Sequence, residues 1–310
     1  MIFTKEPISE ILSKLREVLK GQKKVSFLVL HPDLMLGSYA GTIVKIGSKD
    51  YLYRSLRAWF ELAELLECRM LVPQRVDVSH LQITFERLKE DSFHVVEEDQ
   101  EEKYGSNSLF SSIHKMEEPT FYYYYVEALK HIKIAERTRI LDLGINRGDE
   151  FSVIRDMVTP EQYQSMEFLG IDHSKSALQE ARISFPEKNV SFHLCDIDRL
   201  NEYQLEHFDL LISIGTLQSS GIRFKPLLMY LVQHCLNKDN AALILGFPNS
   251  RWRDGEMVYG AKATHYNFNE MGVVLEDILF AKRYLQQKKY RVMITGKQYL
   301  FLSAVRIEIK

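Results

Sequence analysis

The chain is poor in cysteine, has no long apolar run and carries no excess of charge of either sign. Its three cysteines (Cys68, Cys195, Cys235) stand far apart in 310 residues. They are too few and too scattered for a disulfide scaffold or for the CxxC spacing of a metal or redox site. Such sparing use of cysteine points to a reducing, cytoplasmic setting. No run of about 18 apolar residues occurs, so no membrane span is expected. Charge mixed into the first residues, MIFTKEPISEILSKLREVLKG, denies them the unbroken apolar centre of a signal peptide. Lys+Arg 40 against Asp+Glu 42 gives a net charge of −2, without the global positive field that usually announces a nucleic-acid partner.

What is present reads as two domains, and a chain of this length can bury an extended sheet without staples. Ile8, Ile11, Leu12, Leu15, Val18 and Leu19 recur at helical spacing. VSFLVLHP and TIVKIGSKDYLYRSL read as strand material, the second broken at Gly47–Asp50 as in a hairpin. RAWFELAELLECR reads as a helix, and MLVPQRV and LQITFERL as further strands. Residues 1–96 are therefore expected to form a small accessory α/β domain, and 97–117 an acidic linker and cap segment around Glu97, Glu98, Asp99, Glu101 and Glu102. Across 118–310, RILDLG, MEFLGID, VSFHLCD, FDLLISIG and AALILGF alternate with helix-length pieces. That alternation predicts a doubly wound, mostly parallel sheet covered on both faces. RVMITGKQYLFLSAVRI adds two strands joined by a short Gly-containing turn, for seven strands ending in an antiparallel hairpin.

The first of these strands runs into LDLGINRGDE, placing Asp142, Gly144, Asn146 and Gly148 where a strand turns into a helix. Read as the dinucleotide fingerprint GxGxxG, the loop fails: Asn146 and Asp149 stand at the second and third glycine positions. A pyrophosphate would also meet Asp142 and Asp149 with only Arg147 to offset them. The second strand ends in GIDHSKSALQEAR, with Asp172 and His173 at its end, and the third in LCDIDRL, with Asp196 and Ile197. The three acids are each separated by about one βαβ repeat of roughly 30 residues. All three fall at strand carboxyl ends, where an open α/β sheet binds ligands.

The loop resembles motif I of the class I S-adenosylmethionine-dependent methyltransferases, [DE]xGxGxG, with Asp142, Gly144 and Gly148 matching and Asn146 in place of the middle glycine. The resemblance covers about 118–310 and implies a Rossmann-like fold, S-adenosylmethionine as cofactor and methyl transfer as activity. It implies that Asp172 accepts from the ribose hydroxyls, that Asp196 reads the adenine amino group, and that Ile197 packs on the ring. It places Ser213, Gly215, Thr216, Leu217 and Gln218 of SIGTLQSSG against the methionine moiety and the substrate. This loop is not the (D/N/S)PP(Y/F/W) motif of many enzymes that methylate nucleic-acid bases.

Each residue also has a plainer reading: Asp142 as a turn cap, Asp172 as a helix cap, Asp196 as a loop acid. After the fifth strand, PNSRWRDGEMVYGAKATHYNF supplies Arg251, Arg253, Tyr259, Lys262, His265 and Tyr266. Arg251, Arg253, Tyr259 and Tyr266 are the candidate substrate wall, and His265 the candidate general base. FYYYYVEAL reads as a helix packing on the first strand, and Tyr104 and Glu118 are candidates in a cap over the cofactor. Lys282, Arg283, Lys288, Lys289, Arg291 and Lys297 form a basic segment with no acid from Phe280 to Val305, suited to phosphate or simply to solvent. The methyl acceptor is a small molecule or RNA. A non-catalytic cofactor-binding regulatory module and, more distantly, an NAD-linked oxidoreductase are the alternative readings.

Overall fold

The computed structural model describes residues 1–89, 112–203, 205, 207–219, 221–260 and 271–307. The chain divides into two compact units. The first comprises Met1–Ser92 together with Trp252–Val258, and the second Phe93–Arg251 together with Tyr259–Lys310.

In the first unit, helix α1 (Ile8–Gly21) buries the Ile11, Leu15 and Leu19 stripe that its spacing predicts. It covers an antiparallel sheet of β1 (Lys24–Leu30), β6 (His80–Arg87) and β4 (Cys68–Met70), with β5 (Gln74–Arg75) also paired to β6. The hairpin of β2 (Ile43–Ile46) and β3 (Lys49–Leu52) turns on Gly47 and Ser48 alone, two residues tighter than expected. Helix α2 (Leu56–Leu65), capped by the Ser55 hydroxyl, stops short of Cys68. MLVPQRV is not one strand: Pro73 has no N–H for the ladder, and β4 and β5 stand on either side of it.

The second unit holds the expected seven-stranded sheet. Helix α3 (Pro119–His131), the FYYYYVEAL segment, precedes β7 (Arg139–Leu143), α4 (Asp149–Met157), α5 (Pro160–Ser165), β8 (Glu167–Asp172), α6 (Lys175–Ser184) and β9 (Val190–Leu194). Then follow β10 (Leu210–Ile214), α7 (Phe224–Tyr230), β11 (Ala242–Pro248), α8 (Gly272–Gln287), β14 (Tyr290–Gly296) and β15 (Tyr299–Arg306), while the strands β12 (Ser250–Arg253) and β13 (Glu256–Tyr259), between β11 and α8 in the chain, carry the Trp252–Val258 segment of the first unit. The order is β14-β15-β11-β10-β7-β8-β9, with β15 running against the other six strands.

Alternating side chains send Ile140, Ile212, Ile244 and Phe301 to a core under α3, α4 and α6. They send Leu141, Leu211, Leu243 and Leu302 to a second core under α7 and α8. This two-sided burial is why the strands read as unbroken apolar runs. The chain reverses direction across the sheet between β10 and β7, so the loops after these two strands flank the switch point.

The amino ends of those strands are joined by Asp209. Its buried carboxylate accepts from the Thr138 N–H (2.8 Å), the Thr138 hydroxyl (2.7 Å) and the Arg139 N–H (3.0 Å). Asp209→Ala leaves three donors without their acceptor and is expected to cost about 2–4 kcal/mol. Urea unfolding measures this, and a loss below about 0.5 kcal/mol would contradict the role.

Candidate active site

The loop after β7 is a chain of left-handed residues. Gly144 (φ 77°), Asn146 (φ 50°) and Gly148 (φ 91°) all lie where L side chains are strained. Asn is among the few non-glycine residues that tolerate this region, so Asn146 preserves the backbone path that a middle glycine would give. The positions are also crowded. A Cβ on Gly144 would stand 1.9 Å from the Thr216 hydroxyl oxygen, and one on Gly148 2.5 Å from the Phe185 ring. The loops after β7 and β10 therefore touch backbone to side chain.

Asp172, 5% exposed at the end of β8, holds this loop in place. One carboxylate oxygen accepts the Asn146 N–H at 2.9 Å, and the other accepts the Ser174 N–H at 2.9 Å. Ser174, not Asp172, caps α6. His173 is exposed, its Nδ1 3.5 Å from Asp172 Oδ1. Ser213 is buried and donates its hydroxyl to the Leu143 carbonyl at 3.1 Å, tying β10 to β7 directly below the loop. Gly215 (φ 78°) follows, donating its N–H to the Gly246 carbonyl at 2.8 Å.

Asp142 is 1% exposed, and its Oδ2 is buried without a hydrogen-bond partner. Burial, then the Glu150 and Asp172 carboxylates, hold its carboxyl well above the usual range, against the Lys115 cation. Burial and Asp149 push Glu150 up to about 7, again against Lys115. A buried carboxylate oxygen with no donor is an unmet demand for a cation or a donor. An ammonium carried by a ligand would meet that demand.

Asp196 is exposed, and its Oδ1 accepts the Asp198 N–H at 3.1 Å, capping the turn at Ile197–Glu202. Ile197 lies in the core among Leu141, Leu143 and Cys195. Of the insertion, Arg251 donates to the Tyr259 and Gly260 carbonyls (3.0 and 2.9 Å). Arg253 belongs to the first unit, where it pairs with Glu67 at 2.6 Å and donates to the Lys89 carbonyl at 3.0 Å. Tyr259 is exposed and donates to Met271 Sδ at 3.1 Å. His265, Tyr266, Lys262 and Tyr104 lie outside the described residues. Tyr125 is fully buried, its hydroxyl donating to the Glu150 carbonyl at 3.3 Å, while Tyr122 and Tyr123 are exposed.

Lys288, Lys289 and Arg291 sit with Tyr290 and Arg306 where β14 begins and β15 ends. That is the edge of the sheet opposite Asp142, whereas Lys297 follows β14 at the edge that carries Asp142. A surface groove of ≈ 410 Å³ lined by Lys225, Glu276, Phe280, Arg283 and Tyr284 contains none of the site residues.

Sequence reasoning passed over three residues here: Lys115, Glu150 and Tyr299. Glu150 was visible as the acid two positions after Gly148, while Lys115 and Tyr299 reach the site only through the fold.

Residues 134–295, a little over half of the chain, match a family model described as a methyltransferase domain. No curated protein matches the sequence. The chain is similar to a SAM-dependent methyltransferase from Aquifex aeolicus at 15% identity and TM-score 0.42, over 59% of this chain and 89% of that one. It is similar to TehB from Haemophilus influenzae at 14% and 0.41, over 75% and 72%. It is also similar to the CurJ carbon methyltransferase at 14% and 0.42, covering 67% of this chain and 57% of that one.

Glu150 carries a checkable consequence. Between the ordinary carboxylate range and about 7 the folded protein keeps a proton that the unfolded chain has given up. Its contribution to stability is thus present at low pH and lost as pH rises through about 7. Glu150→Gln is expected to raise the melting temperature of the ligand-free protein at pH 8 and to change it little at pH 5. Thermal denaturation at both values measures the difference, and equal shifts would contradict the assignment.

Proposed function

We propose, on the premise that this chain belongs to the methyltransferase-domain family, that it methylates a small-molecule acceptor at the carboxyl edge of its seven-stranded sheet. The family activity is methyl transfer and the cofactor is S-adenosylmethionine, which supplies an electrophilic methyl group on a sulfonium. The chain's own residues bind and orient. Asp142 takes the cofactor's ammonium, and the observation that supports this is its buried, unpartnered oxygen. Asp172 holds the glycine loop through the Asn146 N–H and has lone pairs left for the ribose hydroxyls. Asp196, exposed beyond β9, stands for the adenine amino group, with Gly144, Asn146, Gly148, His173, Ser213 and Gly215 shaping the loops between. Ile197 supports that edge from the core.

Direct displacement at a methyl group asks mainly for alignment and for exclusion of competing nucleophiles. Where the nucleophile arrives protonated, His265 is the proposed base. A small molecule is favoured over RNA by the position of Lys288, Lys289 and Arg291 at the far edge of the sheet. Three buried cysteines outside any disulfide accord with a cytoplasmic setting, and among the described residues no helix is long and apolar enough to cross a membrane.

Titration calorimetry with S-adenosylmethionine tests the cofactor site. Asp142→Asn is expected to weaken binding by about tenfold or more, since a charge-assisted hydrogen bond is lost. Asp172→Asn, which keeps one acceptor for the loop, is expected to weaken it too. Wild-type affinity is expected to fall as pH is lowered, because burial and the Glu150 and Asp172 carboxylates hold the Asp142 carboxyl above the usual range and protonation removes the charge that faces the ammonium. Binding unaffected by either substitution would count against this reading.

The acceptor class has its own test. At 150 mM salt, a salt concentration of about 0.15 M, filter retention of total RNA is expected to be absent. Retention abolished by Lys288→Glu with Lys289→Glu would favour RNA.

A further inference from the structure

Tyr299 opens β15 and pairs with Pro248 at the end of β11, so its side chain belongs to the same edge of the sheet as Asp142 and Gly215. Its hydroxyl lies 3.6 Å from the point where a Cβ on Gly215 would stand, as does the Pro248 ring. Gly215, with φ 78°, thus leaves open the space that the phenol faces. Phe121 fixes the ring edge-on at 4.9 Å and 79°. The strand start is held from both sides. The Thr120 hydroxyl donates to Gln298 Oε1 at 2.8 Å, and the Asn249 amide donates to the Lys297 carbonyl at 3.0 Å.

Lys115, in the turn Lys115–Glu117 ahead of α3, places its ammonium 5.4 Å from the Tyr299 ring centre. Burial works against that charge, while the Glu150 and Asp149 carboxylates favour it. An ammonium has donors only and a neutral phenol carries one donor proton, so the two side by side offer a carboxylate both a positive charge and a hydrogen-bond donor.

We propose that Lys115 and Tyr299 form a carboxylate-binding pair at the edge of the sheet occupied by Gly215 and Asp142. With the unpartnered acid of Asp142 on the same edge, the site offers one negative and one positive recognition group, the complement of an amino-acid end or of an acceptor that carries its own acid. The carboxylate belongs either to the methionine end of the cofactor or to the methyl acceptor. Lys115 and Tyr299 are positioning residues in both cases. This inference rests on the cofactor reading given above.

The test is titration calorimetry of the full chain as wild type, Lys115→Met, Lys115→Arg and Tyr299→Phe. The probes are S-adenosylhomocysteine, 5′-methylthioadenosine, which lacks the amino-acid end, and benzoate added to protein loaded with S-adenosylhomocysteine. If the carboxylate is the cofactor's, Lys115→Met and Tyr299→Phe weaken S-adenosylhomocysteine by about ten- to a hundredfold, leave methylthioadenosine unchanged, and Lys115→Arg restores most of the loss. If it is the acceptor's, both nucleoside affinities stay as they were, while benzoate binds the loaded wild type and fails to bind the two variants.

Equal weakening of both nucleosides marks a structural role and overturns the proposal. So do unchanged nucleoside binding with no benzoate binding to the wild type, and benzoate binding that the variants retain. A wild type that binds neither nucleoside removes the cofactor reading, and the inference falls with it.

Discussion

A sheet covered on both faces has its unpaired backbone groups at the strand ends, and how those groups are satisfied decides where the ends can go. Here side chains do it at both edges of the switch point. Asp209 gathers the amino ends of β7 and β10. Ser213 bonds the Leu143 carbonyl at the other end of the same pair. Asp172 then accepts the Asn146 N–H and brings the loop after β7 against the end of β8. That bond joins those that the Gly144 and Ile145 N–H groups make to the Ile171 carbonyl (2.8 and 3.2 Å), so the left-handed path through Gly144, Asn146 and Gly148 is tied to the end of β8. Asp172 therefore shapes the site from within, whatever its outward-facing lone pairs receive.

Charge is the second organising constraint. Asp142, Asp149, Glu150 and Asp172 crowd the start of α4, where a helix N-terminus already favours negative charge. Lys115 offsets part of this, and burial with mutual repulsion holds the carboxyls of Asp142 and Glu150 above the usual range.

The parallel sheet was legible because two-sided burial writes itself as apolar runs, and the three acids because each ends such a run. Asp142, Asp172 and Asp196 needed only strand periodicity to be placed. Lys115 and Tyr299 were not legible. They are separated by nearly the whole second unit, and only the antiparallel return of β15 brings Tyr299 beside Gly215. The hairpin of β12 and β13 was legible and missed. Asp254-Gly255, both at positive φ (48° and 80°), is the dipeptide a two-residue hairpin turn favours. Read as irregular chain, the segment offered Arg253 as a substrate residue, whereas the paired strands commit that guanidinium to Glu67 and to the Lys89 carbonyl.

That hairpin tip has a bearing on how the protein can be taken apart. Asp254 pairs with Arg69 at 2.9 Å, and Arg253 with Glu67, so the first unit includes the segment Trp252–Val258, which arrives long after Ser92 in the chain. The unit is discontinuous in sequence. A cut in the acidic segment after Lys89 would put Arg69 and Glu67 on one fragment and the Asp254 and Arg253 they pair with on the other. The covalent boundary and the folding boundary are different places. Gene fusion, permutation or limited proteolysis that treats the first hundred residues as a detachable module would meet that mismatch.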